Sequence, residues 1–125
     1  MRTMANVLIG LIAALHAYIA WFEMFAWVER GPTVFPMFPA DLFEQTTALA
    51  ANQGLYNGFL AAGLIWSLLI QDRAWRARVA YCFLLFVAVA GAFGAFTVSP
   101  RIAIIQTVPA MLAMICVFFA DRKVP

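Results

Sequence analysis

Apolar residues run along this chain in four long stretches, separated by short polar or proline-rich segments. The stretches extend over about Met4 to Val28, Thr46 to Ile70, Trp75 to Thr97 and Ile102 to Ala120. Each is close to the ~20 residues that carry an α-helix across the hydrocarbon core of a bilayer. The pattern therefore predicts an all-α fold, an integral membrane four-helix bundle formed by a single domain over residues 1–125.

Composition and charge agree with a membrane protein. The chain is 66% hydrophobic and 11% charged, whereas soluble domains are roughly 45–50% apolar and about 25% charged. With four alternating spans, most basic residues fall on one side of the membrane: Arg2, Arg73, Arg76, Arg78, Arg122 and Lys123. Arg30 and Arg101 fall on the other side. Because cytoplasmic loops carry the excess of basic residues, both termini are predicted to be cytoplasmic in a multi-pass protein of the inner (cytoplasmic) membrane, and no nucleic-acid partner is indicated.

A run of amides interrupts the second apolar stretch. Asn52 and Gln53 stand together and Asn57 follows after four residues, with Tyr56 beside it. An unpaired amide in an apolar medium costs several kcal/mol, so these side chains must face protein, trapped water or a ligand. Gln53 and Asn57 share one stripe of the helix, and Asn52 and Tyr56 share another. The run is therefore the first candidate for a ligand-binding site.

The first apolar stretch contains the only histidine of the chain, His16, and an acidic residue, Glu23. Seven residues are about two helical turns, so the two side chains share a face with ~10.5 Å of rise between them. Ionisable residues inside a membrane helix are expensive and usually face the protein interior at a functional site. The alternative for His16 is a hydrogen bond to a neighbouring helix that only stabilises packing.

Small residues accompany the polar ones in both helices. Ala20 lies between His16 and Glu23, and Gly54 and Gly58 form a GxxxG motif within the amide run. Small residues at this spacing let helix backbones approach closely. Close packing of the two helices would bring their hydrogen-bonding groups together.

The segment from Glu29 to Gln45 is predicted to be the one long loop, because Pro32, Pro36 and Pro39 stop a continuing helix. Its many phenylalanines are too apolar for a freely solvated loop, so it is expected to lie at the membrane interface or over the bundle. Asp41 is expected to cap a short helical turn within it.

Depth in the membrane brings the candidates together. At ~1.5 Å per residue, Glu23, Asn52, Gln53 and Gln106 lie about 5 to 10 Å outward of the midplane, and His16 and Asn57 lie at the midplane. Gln106 belongs to the fourth stretch, where Pro109 removes a backbone hydrogen bond and is expected to kink the helix. The sequence thus predicts a buried polar site in the outer half of the bundle. Its predicted members are His16, Glu23, Asn52, Gln53, Tyr56, Asn57 and Gln106.

Metal sites are not indicated. Cys82 and Cys116 are far apart in sequence and are expected to behave as small apolar residues, and no CxxC pair is present. One histidine and one glutamate are too few ligands for a typical transition-metal site, unless Met24, another protomer or exogenous groups contribute. A metal site, or a haem with His16 as axial ligand, is therefore only a fourth alternative. No metal is therefore predicted, and the sequence names no cofactor.

The chain resembles a family of small four-helix membrane proteins known as domain-of-unknown-function family thirteen-oh-four. The resemblance rests on His16 with the downstream Glu23-Met24, on the run Ala51 to Gly58, and on Gln106 with Pro109. It covers nearly the whole chain. It supports the fold and these positions and implies no particular activity.

Three functions fit these observations. The first is binding of a small ligand or handling of protons, because an imidazole titrates near neutrality and the amides can orient a ligand. Transport by such a protein would favour a homo-oligomer, because four short helices make a narrow pore unlikely within one protomer. The second is a membrane enzyme, such as an isomerase in which His16 and Glu23 act as catalytic acid and base on a lipid-soluble substrate. The third is an accessory subunit of a larger membrane complex, in which the amides join helices.

Overall fold

The fold is described here from a computed structural model, for residues 1–122. These residues are helical over most of their length and contain no strand. The helices are α1 (Arg2–Phe25), α2 (Trp27–Val34), α3 (Ala40–Gln45), α4 (Thr47–Leu69), α5 (Arg73–Thr97) and α6 (Val108–Asp121), and a π-helical segment, Ala103–Thr107, leads into α6. The all-α prediction is therefore confirmed for this part of the chain. The position of Lys123, predicted to be a cytoplasmic anchor, lies outside the described residues.

The prediction of four helices is wrong in number, because six are present in the described part of the chain. The two additional helices, α2 and α3, lie in and beside the segment predicted to be a loop. Local helical hydrogen bonds satisfy much of its backbone, while Phe43 is buried and Phe35 and Phe38 are partly buried. Asp41 does not cap α3. The cap residue is Pro39, which makes no side-chain cap bond, and Asp41 instead accepts a hydrogen bond from Gln45 at 3.2 Å.

Three helical stretches are long and apolar enough to cross a membrane: Arg2–Phe25, Arg73–Thr97 and Ala103–Asp121. Helix α4 is also long, with 23 residues, but it is not among them. The physical reason is the run of three amides in its first half, which lowers its hydropathy.

The chain divides into two compact units. The first unit contains Met1–Ala14 and the described residues from Leu60 onward, and the second is Leu15–Phe59. Helices α1 and α4 each contribute residues to both. The hydrophobic core of the first unit is built from α1, α4, α5 and α6, with Ile9, Leu64, Leu84, Val87 and Ala113 among its buried members.

The backbone before Pro109 departs from α-helical geometry in the first unit. Without an N–H, it cannot bond to the carbonyl four residues earlier. The chain widens into the π-helical segment, where the N–H of Val108 bonds to the carbonyl of Ala103. The hydroxyl of Thr107 then donates to the carbonyl of Ala88 in α5 at 3.0 Å. Gly91 allows this approach, since a Cβ there would lie 2.6 Å from Thr107 Oγ1.

An aromatic cluster fills the second unit around Phe43, which is fully buried. Its ring lies 5.1 Å from that of Trp27, centroid to centroid, and directly against Gly31, where any side chain would clash with it. The indole N–H of Trp27 donates to the hydroxyl of Thr46 at 3.0 Å, and this hydroxyl donates to the carbonyl of Leu42 at 2.8 Å. These contacts join α2 and α3 to the start of α4.

We expect Phe43→Ala to destabilise the protein by about 3–5 kcal/mol, because it removes a fully buried ring from a packed cluster. The free energy of unfolding in detergent micelles measures this change. Phe25→Ala is the matched control, since Phe25 is 75% exposed. Equal effects of the two substitutions would contradict the assignment of Phe43 to a packed core.

Candidate functional site

A hydrogen bond between α1 and α4 links two of the predicted site residues. The Asn57 Nδ2 group donates to Glu23 Oε2 at 2.8 Å and to the backbone carbonyl of Gln53 at 3.3 Å. Asn57 is 9% exposed, and Glu23 is partly buried. Both N–H bonds of the amide are therefore used to hold the side chain in one orientation. The Gln53 carbonyl is a backbone group that no sequence pattern singles out.

The remaining polar atoms of this pair are acceptors. Asn57 is the one donor to the Glu23 carboxylate among residues 1–122. A carboxylate has two oxygens with several lone pairs, and an amide oxygen has two more. Glu23 Oε1 and Asn57 Oδ1 can thus receive hydrogen bonds from a ligand or from water. The pair is suited to a partner that carries N–H or O–H groups or a positive charge.

Gly54 explains why the two helices come close enough for this bond. A Cβ at Gly54 would lie 2.7 Å from Met24 Cγ, 3.0 Å from the carbonyl oxygen of Ala20 and 3.1 Å from Glu23 Cβ. A larger residue would push α4 away from α1. Gly58 is less constrained, because a Cβ there would be 3.9 Å from Ala20 Cβ, which is an ordinary contact.

The pairing differs from the depths inferred from sequence. Those depths placed Glu23 at the level of Asn52 and Gln53, and Asn57 at the level of His16. In the structure Glu23 bonds to Asn57 instead. A glutamate side chain reaches along its helix by about one turn. The partner of Glu23 is therefore decided by hydrogen bonding, and the depth of its Cα atom in the membrane does not decide it.

His16 is fully buried, with 0% of its surface exposed. It lies two helical turns before Glu23 on α1. A buried imidazole within hydrocarbon-rich surroundings must be hydrogen-bonded to be tolerated. Its position inside the second unit agrees with an inward-facing side chain.

The other polar residues of α4 are on its surface in the second unit. Asn52, Gln53 and Tyr56 are all exposed, and Tyr56 packs its ring against Phe59 at 6.2 Å between centroids. Gln53 and Asn57 share a stripe of the helix, yet one is exposed and the other buried. The structure therefore brings Asn57 to Glu23 and leaves these three side chains outside that contact.

Gln106 belongs to the first compact unit, in the π-helical segment, and is partly buried. It packs beside α5, since a Cβ at Gly91 would lie 2.8 Å from Gln106 Cβ. No group of three or more His, Cys, Asp or Glu side chains that could hold a metal ion occurs among the described residues.

Comparison with known proteins gives a family. The chain is 28% identical over 120 residues to the uncharacterised protein YpaA of Lactococcus lactis subsp. lactis (strain IL1403), an alignment that covers 94% of this chain and 99% of the relative. No solved structure matches the chain. The family described as protein of unknown function (DUF1304) matches residues 10–118. The predicted family resemblance is thus confirmed, and the chain belongs to the DUF1304 family.

Proposed function

We propose that this protein is a multi-pass protein of the inner membrane that binds a small molecule at Glu23 and Asn57 and exchanges a proton with it through the Glu23 carboxyl. The single observation that carries the proposal is the 2.8 Å hydrogen bond between these side chains. It holds the carboxylate in place and leaves acceptor atoms for a ligand.

In this proposal the protein crosses the membrane four times, through α1, α4, α5 and the stretch Ala103–Asp121, and both termini lie in the cytoplasm. Three of them are long and apolar enough to cross. For α4, the bond from Asn57 to Glu23 reduces the cost of placing that amide in a bilayer, since both N–H groups have acceptors. The basic residues are distributed as the positive-inside rule requires. The polar pair then lies in the outer half of the membrane.

A carboxylate supports a functional role better than a structural one. If the bond only joined two helices, an uncharged partner for Asn57 would do so without the cost of a charge inside the membrane. A carboxylate adds a strong acceptor and a group that can take up a proton. His16 on the same helix adds a second titratable group. A ligand that carries an amine or hydroxyl fits these acceptors.

A second candidate, an accessory role in a larger membrane assembly, is favoured by the exposed face of α4. If α4 crosses a bilayer, lipid chains cannot hydrogen-bond to its exposed polar side chains, which are those of Asn52, Gln53 and Tyr56. Contact with another polypeptide would satisfy them. The two functions are compatible, since the buried pair and the exposed residues occupy different parts of α4.

Glu23→Gln is expected to reduce retention of a bound small molecule by about tenfold or more, because hydrogen bonds to a charged group are worth about 1.5–3 kcal/mol. The measurement is native mass spectrometry of protein released gently from its membrane, with lipid and metal analysis of the same sample. Glu29→Gln is the matched control, as Glu29 is exposed on α2. An apo mass for the unmodified protein, or equal retention in both variants, would refute ligand binding at this pair.

Replacing Asn52 and Gln53 together by leucine tests the accessory role. If another polypeptide covers these amides, the double variant should lose co-released partners while it keeps its own fold and membrane insertion. The same mass spectra report this loss, with Leu55→Ala as a control on the same exposed stretch. Unchanged composition of the released assembly would argue against a partner on this face.

Fusion of a reporter that is active only outside the cytoplasm tests the topology. A fusion after residue 125 should be inactive, and an insertion near Pro36 in the connection between α2 and α3 should be active. The reverse pattern, or activity at both sites, would overturn the four-span arrangement.

A further inference from the structure

A cavity of about 40 Å³ lies in the first compact unit, where the start of α1, the start of α5 and the end of α6 meet. Its charged and amide lining consists of Arg2, Asn6, Arg73, Arg76 and Asp121. Apolar residues of the three helices form the rest of the wall. The function proposed above makes no use of this site.

Two of the arginines are held in place by backbone carbonyls at helix ends. Arg76 donates through Nε to the Ile70 carbonyl at 2.8 Å and through Nη2 to the Leu68 carbonyl at 3.2 Å, and it is partly buried. Arg73 donates through Nη2 to the Ala120 carbonyl at 3.4 Å. A guanidinium has five N–H groups, so both arginines keep donors for a further acceptor. Two backbone carbonyls orient Arg76, whereas Arg73 is exposed and makes one longer contact.

Among residues 1–122, the lining of the cavity carries more positive than negative charge. Three guanidinium groups face one carboxylate, that of Asp121. No carboxylate among residues 1–122 lies within 4 Å of these guanidinium groups, so none of them is ion-paired in that range. Uncompensated arginines around a concave site attract anions, and guanidinium geometry suits the oxygens of phosphate.

The size of the cavity limits the ligand to a small group. A cavity needs about 10–15 Å³ to hold one water, so a cavity of about 40 Å³ accommodates roughly three waters. A tetrahedral oxyanion is of this order, whereas a whole nucleotide or sugar phosphate is not. The remainder of a larger molecule would have to stay outside.

We propose that this cavity binds a phosphate group, with Arg2, Arg73 and Arg76 as donors. The phosphate is either free or part of an anionic lipid headgroup. Asp121 opposes binding by repulsion of like charge, which limits affinity and favours ligands that offer further donors.

The experiment uses the full chain in detergent micelles with two probes. Inorganic phosphate is titrated calorimetrically, and phosphatidylglycerol is compared with phosphatidylcholine by native mass spectrometry. Saturable binding of inorganic phosphate identifies free phosphate as a ligand. Selective retention of phosphatidylglycerol without phosphate binding identifies a lipid headgroup. Either result supports the site, and binding of neither probe overturns it.

The variants separate a built site from general attraction to basic residues. Arg2→Gln and Arg73→Gln should each weaken binding about tenfold, since each removes charge-assisted hydrogen bonds. Asp121→Asn should strengthen it severalfold by removing the opposing charge. Arg78→Gln is the matched control, because Arg78 lies on the same helix, is exposed and does not line the cavity. Equal loss in Arg78→Gln and Arg73→Gln, or weaker binding in Asp121→Asn, would overturn the proposal.

Discussion

Buried polar groups need hydrogen-bonding partners within the protein, and the hydrogen bond from Asn57 to Glu23 meets that requirement in the second unit. The bond needs the backbones of α1 and α4 to approach closely, and Gly54 against Ala20 and Met24 permits that approach. The amide also bonds to the carbonyl one turn earlier in its own helix. Packing and polar satisfaction therefore depend on each other: without the glycine the carboxylate would lose its donor, and without the donor its burial would be costly.

The same requirement explains features of the first unit. Pro109 has no backbone N–H to donate, and the helix widens into a π-helical segment before it. The hydroxyl of Thr107 donates a hydrogen bond to the Ala88 carbonyl in α5. Near the end of α4 and the end of α6, Arg76 donates to the Ile70 carbonyl and Arg73 donates to the Ala120 carbonyl. These arginines thus contribute to the structure by bonding to backbone carbonyls, and anion binding would be a second function. Their charge at the end of the unit is also what a cytoplasmic boundary would require.

The connection between α1 and α4 is a packed element of the second unit. Phe43 is buried against Gly31 and Trp27. The Trp27 indole donates to the Thr46 hydroxyl, which in turn donates to the Leu42 carbonyl. An aromatic cluster of this kind fixes the beginning of α4, and with it the register at which Asn57 follows ten residues after Thr47. The short helices therefore contribute to the position of the polar pair as well as covering apolar side chains.

The sequence by itself determined the helical class, the long apolar stretches that suit a membrane and the positions of the polar residues within them. These follow from local properties, namely the length of apolar runs and the cost of amides and charges within them. Tertiary structure alone decided which polar residues meet. Gln53 and Asn57 share a stripe, yet Asn57 is buried against Glu23 while Gln53 is exposed. Helix α2 was missed because Pro32 argues against helix locally. Helix α3 contains the short helical turn that was expected near Asp41, and its Phe43 is fully buried. Sequence periodicity does not encode how far a side chain reaches, how closely α1 approaches Gly54, or how distant residues pack. Only the folded chain therefore shows that Asn57 contacts Glu23.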